Sequence, residues 1–297
     1  MKRLIVTADD FGLAVPVNEA VEEGHLKGIL SAASLMVTGD AADDAIARAR
    51  RLPKLAVGLH LVLVDGKPCL PPDEIPDLVG RDGRFGADVI RRGIAIFCSA
   101  AARRQAEAEI RAQLEAFART GLTLDHVDGH HHFHMHPVIR DALLKLAPEY
   151  GIAAIRVPHE PPLLAWRATG DRLGPRLLAW LVQARRAQHM KRAFAAAGIS
   201  SNDWLLGLSD SGAMSAARVA GYLARLPDGV SELYVHAATG RFAGAGAWPA
   251  AYDGRRELDA LTDPIVRAAL ARLGIEATSF AALAGGRSGV DVGATVP

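Results

Sequence analysis

Cross-linking has almost no material in this chain. Its two cysteines, Cys69 and Cys98, have no CxxC spacing, which excludes a disulfide framework and leaves free thiols in a reducing compartment. Aromatic side chains make up only 5% of the residues, so the core must be built mainly from aliphatic groups. Charge of either sign is not in excess. The 34 basic and 33 acidic residues leave a formal net charge of +1, which gives no reason to expect a nucleic acid partner. Long apolar runs are missing too: the stretches near residues 94–102 and 177–182 fall short of the ~18–20 residues of a membrane span. The opening run after Met1-Lys2-Arg3 is too short for a signal segment and ends in Asp9-Asp10. A cytoplasmic protein is expected. No glycine-rich dinucleotide fingerprint follows that run, so nucleotide binding has little support.

What is present is an alternation. Short β-branched runs at residues 4–8, 32–37, 54–61, 123–128, 153–157, 204–208, 232–236 and 276–279 read as strands. Alanine-rich amphipathic stretches between them read as helices. Asp40 is placed to cap the helix at 41–51, and Thr262-Asp263-Pro264 to cap the last one, which stops at Gly274. Residues 65–100, punctuated by Pro68, Pro71, Pro72, Pro76, Gly80, Gly83 and Gly86, read as an irregular insertion after the third strand. Seven or eight β–α steps with apolar strands predict an α/β fold: a single, TIM-like and distorted (β/α) barrel over residues 1–284, with a disordered tail at 285–297.

The chemistry gathers where the strands end. Asp9-Asp10 close the first, His60 the third and His236 a late one, while Asp128-Gly129-His130-His131-His132-Phe133-His134-Met135-His136 follows the fourth. In such a barrel those ends share one mouth. Taken singly, each residue has a plainer reading: an aspartate that caps the next helix, or a core histidine with a backbone partner. Together they favour a metal. Adjacent carboxylates repel, and a cation relieves the repulsion while one carboxylate stays free as a base. Six of the eleven histidines fall between His126 and His136. In an extended segment His130, His132 and His134 share a face; in a helical one, His130 and His134 do. A carboxylate and two imidazoles leave coordination positions open for water and substrate. His236 suits a general acid, with an ordinary pKa of ~6.5.

The segments Thr7-Ala8-Asp9-Asp10-Phe11-Gly12, Gly58-Leu59-His60-Leu61 and Asp128-Gly129-His130-His131-His132-Phe133-His134 resemble those of the YdjC-like carbohydrate deacetylases. Residues 28–37 and Tyr150-Gly151-Ile152, with Ile155-Arg156, are similar as well. The resemblance implies a distorted barrel that removes acetyl groups from N-acetylated sugars with a divalent metal ion; an Asp-His-His set suits Zn, Mg, Mn or Co. It implies Asp10, His60 and His130 as metal ligands, Asp9 as base and His236 as acid. His132, His134 and Arg156 would line the substrate pocket or support the ligands. One departure is that His236-Ala237-Ala238 stands where the family often has His-Pro-Gly. Within the family the chain is most similar to the hopanoid-biosynthesis branch, which implies an N-acetylglucosaminyl hopanoid, a glycolipid, as substrate. The sequence adds a hint of its own. Residues 173–194 combine Leu177, Leu178, Trp180, Leu181 and Val182 with clustered Arg and Lys, as a helix in peripheral contact with a membrane would, or as a solvated charged face would. A metal-dependent isomerase or aldolase and a non-catalytic sugar-binding homologue are the competing readings.

Overall fold

A computed structural model describes residues 1–243 and 248–284; the tail expected at 285–297 lies outside them. Its strands are β1 (Lys2–Phe11), β2 (Ala32–Leu35), β3 (Ala56–Leu61), β4 (Leu124–Gly129), β5 (Ala154–Ile155), β6 (Ser200–Ser201), β7 (Trp204–Leu206), β8 (Gly229–Val235) and β9 (Glu276–Ala277). Every pairing among them is parallel. The path through the sheet runs β6-β5-β4-β3-β2-β1-β8-β7, with β9 on β1. Its two ends, β6 and β7, are separated in the chain only by Asn202 and Asp203. The sheet therefore curls until both of its edges belong to one stretch of chain, as the predicted barrel requires. It is distorted because the strands are unequal: β1 has ten residues, β5 and β6 two each.

At the seam, side chains replace some of the backbone rungs, while the Leu205 N–H still donates to the His159 carbonyl at 3.0 Å. The Asn202 amide accepts from the Val157 N–H at 2.7 Å and donates to the Val157 carbonyl at 2.9 Å. Asp203 serves Val230 in the same way: its carboxylate accepts from the Val230 N–H at 2.9 Å, and its own N–H donates to the Val230 carbonyl at 2.8 Å.

Leu4, Ile5, Val6, Ala8 and Phe11 of β1 are all buried, as a strand covered on both faces must be. Helices Val15–Lys27, Ala42–Arg51, Ala100–Arg119, Pro137–Tyr150, Leu173–Ala196, Ala216–Leu223, Gly254–Thr262 and Pro264–Arg272 occupy the connections. Asp263 caps the last of these through the Ile265 N–H, and Gly274 takes the left-handed conformation just beyond it. Asp40 makes no cap bond on Ala42–Arg51 and pairs instead with Lys67. The insertion is irregular over residues 65–88, but a helix follows at Val89–Cys98, opened by Asp88, whose carboxylate accepts from the Arg91 N–H. Only Ile96 of that helix is buried. Among the described residues no helix is long and apolar enough to cross a membrane.

Candidate metal centre

β1 ends in an irregularity. Its register against β2 slips between Ala8 and Phe11, and Asp10 sits at φ +62°, a left-handed conformation that Asp tolerates better than most residues. The chain then turns through Gly12 at φ +97°, where a Cβ would lie 2.8 Å from the Met36 carbonyl oxygen. The next helix begins after Ala14 with no side-chain cap. Neither aspartate is a cap, and both carboxylates are free for other partners.

Those partners differ. Asp10 Oδ1 lies 3.2 Å from His60 Nε2 and 3.1 Å from His130 Nδ1. The three residues offer ligand atoms within 4.8 Å of one another, all buried. Asp10 Oδ1 makes no hydrogen bond of sound geometry despite its burial. One carboxylate oxygen and two imidazole nitrogens meeting at such a vertex are a donor set that fits a divalent cation. Burial works against the Asp10 carboxylate, but His130 and His60 outweigh it and hold its pKa well below the ordinary value. The other oxygen, Oδ2, accepts from the Trp248 indole at 2.7 Å.

Asp9 turns instead to Arg156, whose two terminal nitrogens each donate to it at 2.7 Å. Arg156 is fully buried. Its Nε and Nη2 donate to Glu232 at 2.9 and 2.7 Å, and Nη1 lies 2.6 Å from Asp128. The guanidinium therefore balances three carboxylates, and it has no surface left for a substrate. Arg156, expected to line the substrate pocket or support the ligands, lies buried behind Asp9 and Asp128. Asp128 receives Ser34 Oγ at 2.8 Å and contacts His60 Nδ1 at 2.8 Å. That contact sets the His60 ring so that Nε2 faces Asp10, the carboxylate–imidazole pairing that orients metal-binding histidines. Burial opposes the Asp128 carboxylate, but Arg156 and His60 keep its pKa well below the usual range.

The histidine run is neither extended nor regularly helical. It forms a tight 3₁₀ segment, His130–Met135, in which His131 and His132 both sit at φ +53°. The kink sends the rings apart. His130 faces Asp10, while His131 Nε2 lies 3.4 Å from Asp65 at the surface. His134 Nε2 reaches the Arg156 carbonyl at 3.0 Å, and His132 meets the Tyr234 ring edge-on at 5.4 Å. Burial lowers the pKa of His134 to about 4 and that of His132 well below the ordinary value. Both rings are thus held neutral behind the site. His126, just upstream, packs its ring over Gly58, where a Cβ would lie 2.4 Å from it.

His236 follows β8. Its Nε2 is 3.9 Å from Asp10 Oδ2, and its Nδ1 meets Ser211 Oγ at 3.0 Å. Rings of Tyr234, Trp248 and Tyr252 surround it. Burial lowers its pKa, with Asp10 and Asp9 pulling the other way. Ala237 and Ala238 are buried, and the Ala238 N–H donates to the Gly254 carbonyl at 3.0 Å. The altered loop is thereby tied to the following helix, whose Glu257 accepts the His236 N–H at 2.5 Å and the Met214 N–H at 2.9 Å.

Asp9, Asp10, His60, His130 and His236 thus meet at one mouth, with His132, His134 and Arg156 behind them. Sequence reasoning assigned no role to Asp128, Glu232, Trp248 or Glu257. A charged residue opening an otherwise apolar strand was a signal for Glu232, and the Asp128-Gly129 step at a strand end was one for Asp128. Trp248 lies outside any periodic element and gave none.

The sequence profile of the YdjC-like protein family matches residues 3–272. A carbohydrate deacetylase of Brevibacillus brevis is 43% identical over 162 residues, which are 54% of this chain and 60% of that protein. The match thus spans little more than half of either. A carbohydrate deacetylase of Homo sapiens is 32% identical over 308 residues, 98% of this chain and 94% of its own. Among solved structures, an Enterococcus faecalis protein described as a candidate cellobiose-phosphate cleavage protein superposes with a TM-score of 0.70. At 24% identity it covers 95% of this chain and 98% of its own, and it shares the fold.

Proposed function

Because the chain belongs to the YdjC-like protein family, we propose that it is a metal-dependent carbohydrate deacetylase that hydrolyses the N-acetyl group of a hexosamine. One observation carries this reading: buried Asp10 Oδ1, without a hydrogen bond, faces His60 Nε2 and His130 Nδ1 beside Asp9 and His236. The names of the human and Brevibacillus brevis relatives support the substrate class. The finer reading takes the substrate to be the N-acetylglucosaminyl group of a hopanoid lipid.

Asp10, His60 and His130 would hold the divalent ion, which when bound polarises the acetyl carbonyl and acidifies water. Asp9, its carboxylate fixed by both Arg156 nitrogens, takes the proton of the attacking water. Water adds to the acetyl carbon and the C–N bond breaks. The departing nitrogen takes its proton from His236 Nε2, the ring atom facing the site, while Ser211 holds Nδ1. Acetate and a free amine leave. Beside the mouth, a cleft bounded by Leu13, Met36, Val62, Asp65, Lys67 and Arg84 offers the mixed polar and apolar lining that a sugar ring requires.

The test is acetate release from N-acetylglucosaminyl substrates, soluble and hopanoid-linked, with metal content measured on the same preparation. Activity should vanish on chelation and return with a divalent ion. Solvent-proton exchange into substrate without acetate would point to an isomerase and refute the reading.

A further inference from the structure

Nine of the thirteen large apolar side chains left exposed among the described residues stand on three helices: Val89–Cys98, Pro162–Thr169 and Leu173–Ala196. Exposure is 76% at Ile90, 59% at Ile94 and 57% at Phe97, and 65%, 66% and 60% at Leu178, Leu181 and Val182. The three helices contain eight Arg and Lys residues and no Asp or Glu, in a chain with a net charge of only +1; of the eight, Arg176 is buried and Lys191 pairs with Asp203. On the long helix the two kinds are segregated. The exposed apolar residues fill its first half, and Arg185, Arg186, Lys191 and Arg192 its second.

The surface borders the mouth. Helix Val89–Cys98 meets the end of the histidine turn, where the Gly93 carbonyl lies 3.1 Å from His136 Nε2 and the Phe97 ring 6.3 Å from the His136 ring. Helix Leu173–Ala196 packs against the same turn. Its Trp180 and Gln183 share a cleft with His159 and Glu160 beyond β5 and with Leu208 and Ser209 beyond β7.

We infer that these helices form a docking surface for an anionic lipid bilayer, placed so that the mouth opens next to the headgroups. Branched apolar side chains enter the acyl boundary while neighbouring arginines meet lipid phosphates, the division of labour of an interfacial helix. A second copy of the chain fits the surface poorly, because a two-fold contact would set cations against cations. The inference concerns the partner of the surface beside the site and does not depend on the reaction proposed above.

It is tested by co-sedimentation of the full chain with vesicles of phosphatidylcholine alone and with phosphatidylglycerol added. Binding is expected on the anionic vesicles only, and it should fall as salt rises. The double variant Arg185→Glu/Arg186→Glu should lose roughly thirtyfold or more in partition, and Leu178→Glu/Leu181→Glu should lose binding as well. Both should keep wild-type hydrolysis of a water-soluble N-acetylglucosaminide, and that readout is separate from vesicle binding. Equal binding to neutral vesicles, equal binding by the variants, or no binding at all would overturn the inference. So would a dimer in solution that Leu178→Glu converts to monomer, since the surface would then belong to a second copy.

Discussion

Two clusters of buried charge lie at the C-terminal ends of the strands. One surrounds Arg176 and ties helices Pro162–Thr169, Leu173–Ala196 and Ala216–Leu223 to the loop after β7. Glu160 there accepts the Gly207 and Leu208 N–H groups at 3.0 and 2.9 Å and Ser209 Oγ at 2.7 Å. Asp210 is held by Arg176 at 2.8 Å, by Arg218, and by the Tyr222 hydroxyl at 2.6 Å. No side-chain oxygen of Glu160 or Asp210 lacks a partner. The cluster around Arg156 is as deeply buried, yet Asp10 Oδ1, Glu232 Oε2 and the Nδ1 atoms of His132 and His134 have none. Since unpaired buried polar groups are costly, the contrast separates a structural clamp, saturated by its own chain, from a site that keeps valence for something else.

The largest effect should come from removing that spare valence. Asp10→Asn or His130→Ala should cut acetate release at least about a thousandfold and abolish metal uptake, while the metal-free protein melts at or above the wild-type temperature. A large drop in melting temperature without metal would make the open cluster structural after all. Next, Arg176→Met strands Glu160 and Asp210 in the interior and should cost about 3–5 kcal/mol in denaturant unfolding, with metal bound per folded molecule unchanged. Loss of metal there would erase the distinction between the clusters. Asp128→Asn, which weakens the hold on His60, should lower metal affinity about 10–100-fold in competition with a chelator. An unchanged affinity would remove Asp128 from the site.

The smallest effect is on stability against pH. Burial lifts the Glu257 carboxyl from its ordinary 4.5 to about 8, so the folded protein favours the neutral acid. Its contribution is complete below about pH 4.5 and is lost as pH rises through about 8. Glu257→Gln, which cannot ionise, should show a flatter fall of stability across that window in denaturant titrations. An identical slope would mean that Glu257 is already charged when folded.

Legibility in the sequence followed the physics of each segment. β1 and the latter half of β8 could be read because their buried residues there are largely apolar, and polar residues, Asp9-Asp10 and His236, stand where those runs end. β6 could not: two serines carry no periodicity, and their pairing is set by partners far along the chain. The histidine run exposed the turn that carries His130 but not its shape. Two consecutive left-handed residues, His131 and His132, are a tertiary outcome that local preference opposes. The lowered pKa of His134 could not be read either, because it comes from burial that only the folded chain creates.

The seam between β6 and β7 bears on how the barrel moves. A ring of strands locked by backbone ladders all the way round can change its girth only by breaking several bonds together. Here one interval is spanned by the Asn202 amide and by one backbone bond, from the Leu205 N–H to the His159 carbonyl at 3.0 Å, so Asn202 works as part of a clasp. Its release frees the Val157 N–H and carbonyl while the paired strands on either side stay intact. With the Leu205–His159 bond also open, the barrel can breathe at that interval at the cost of three bonds, and amide exchange at Val157 and Leu205 is the clock that would time it.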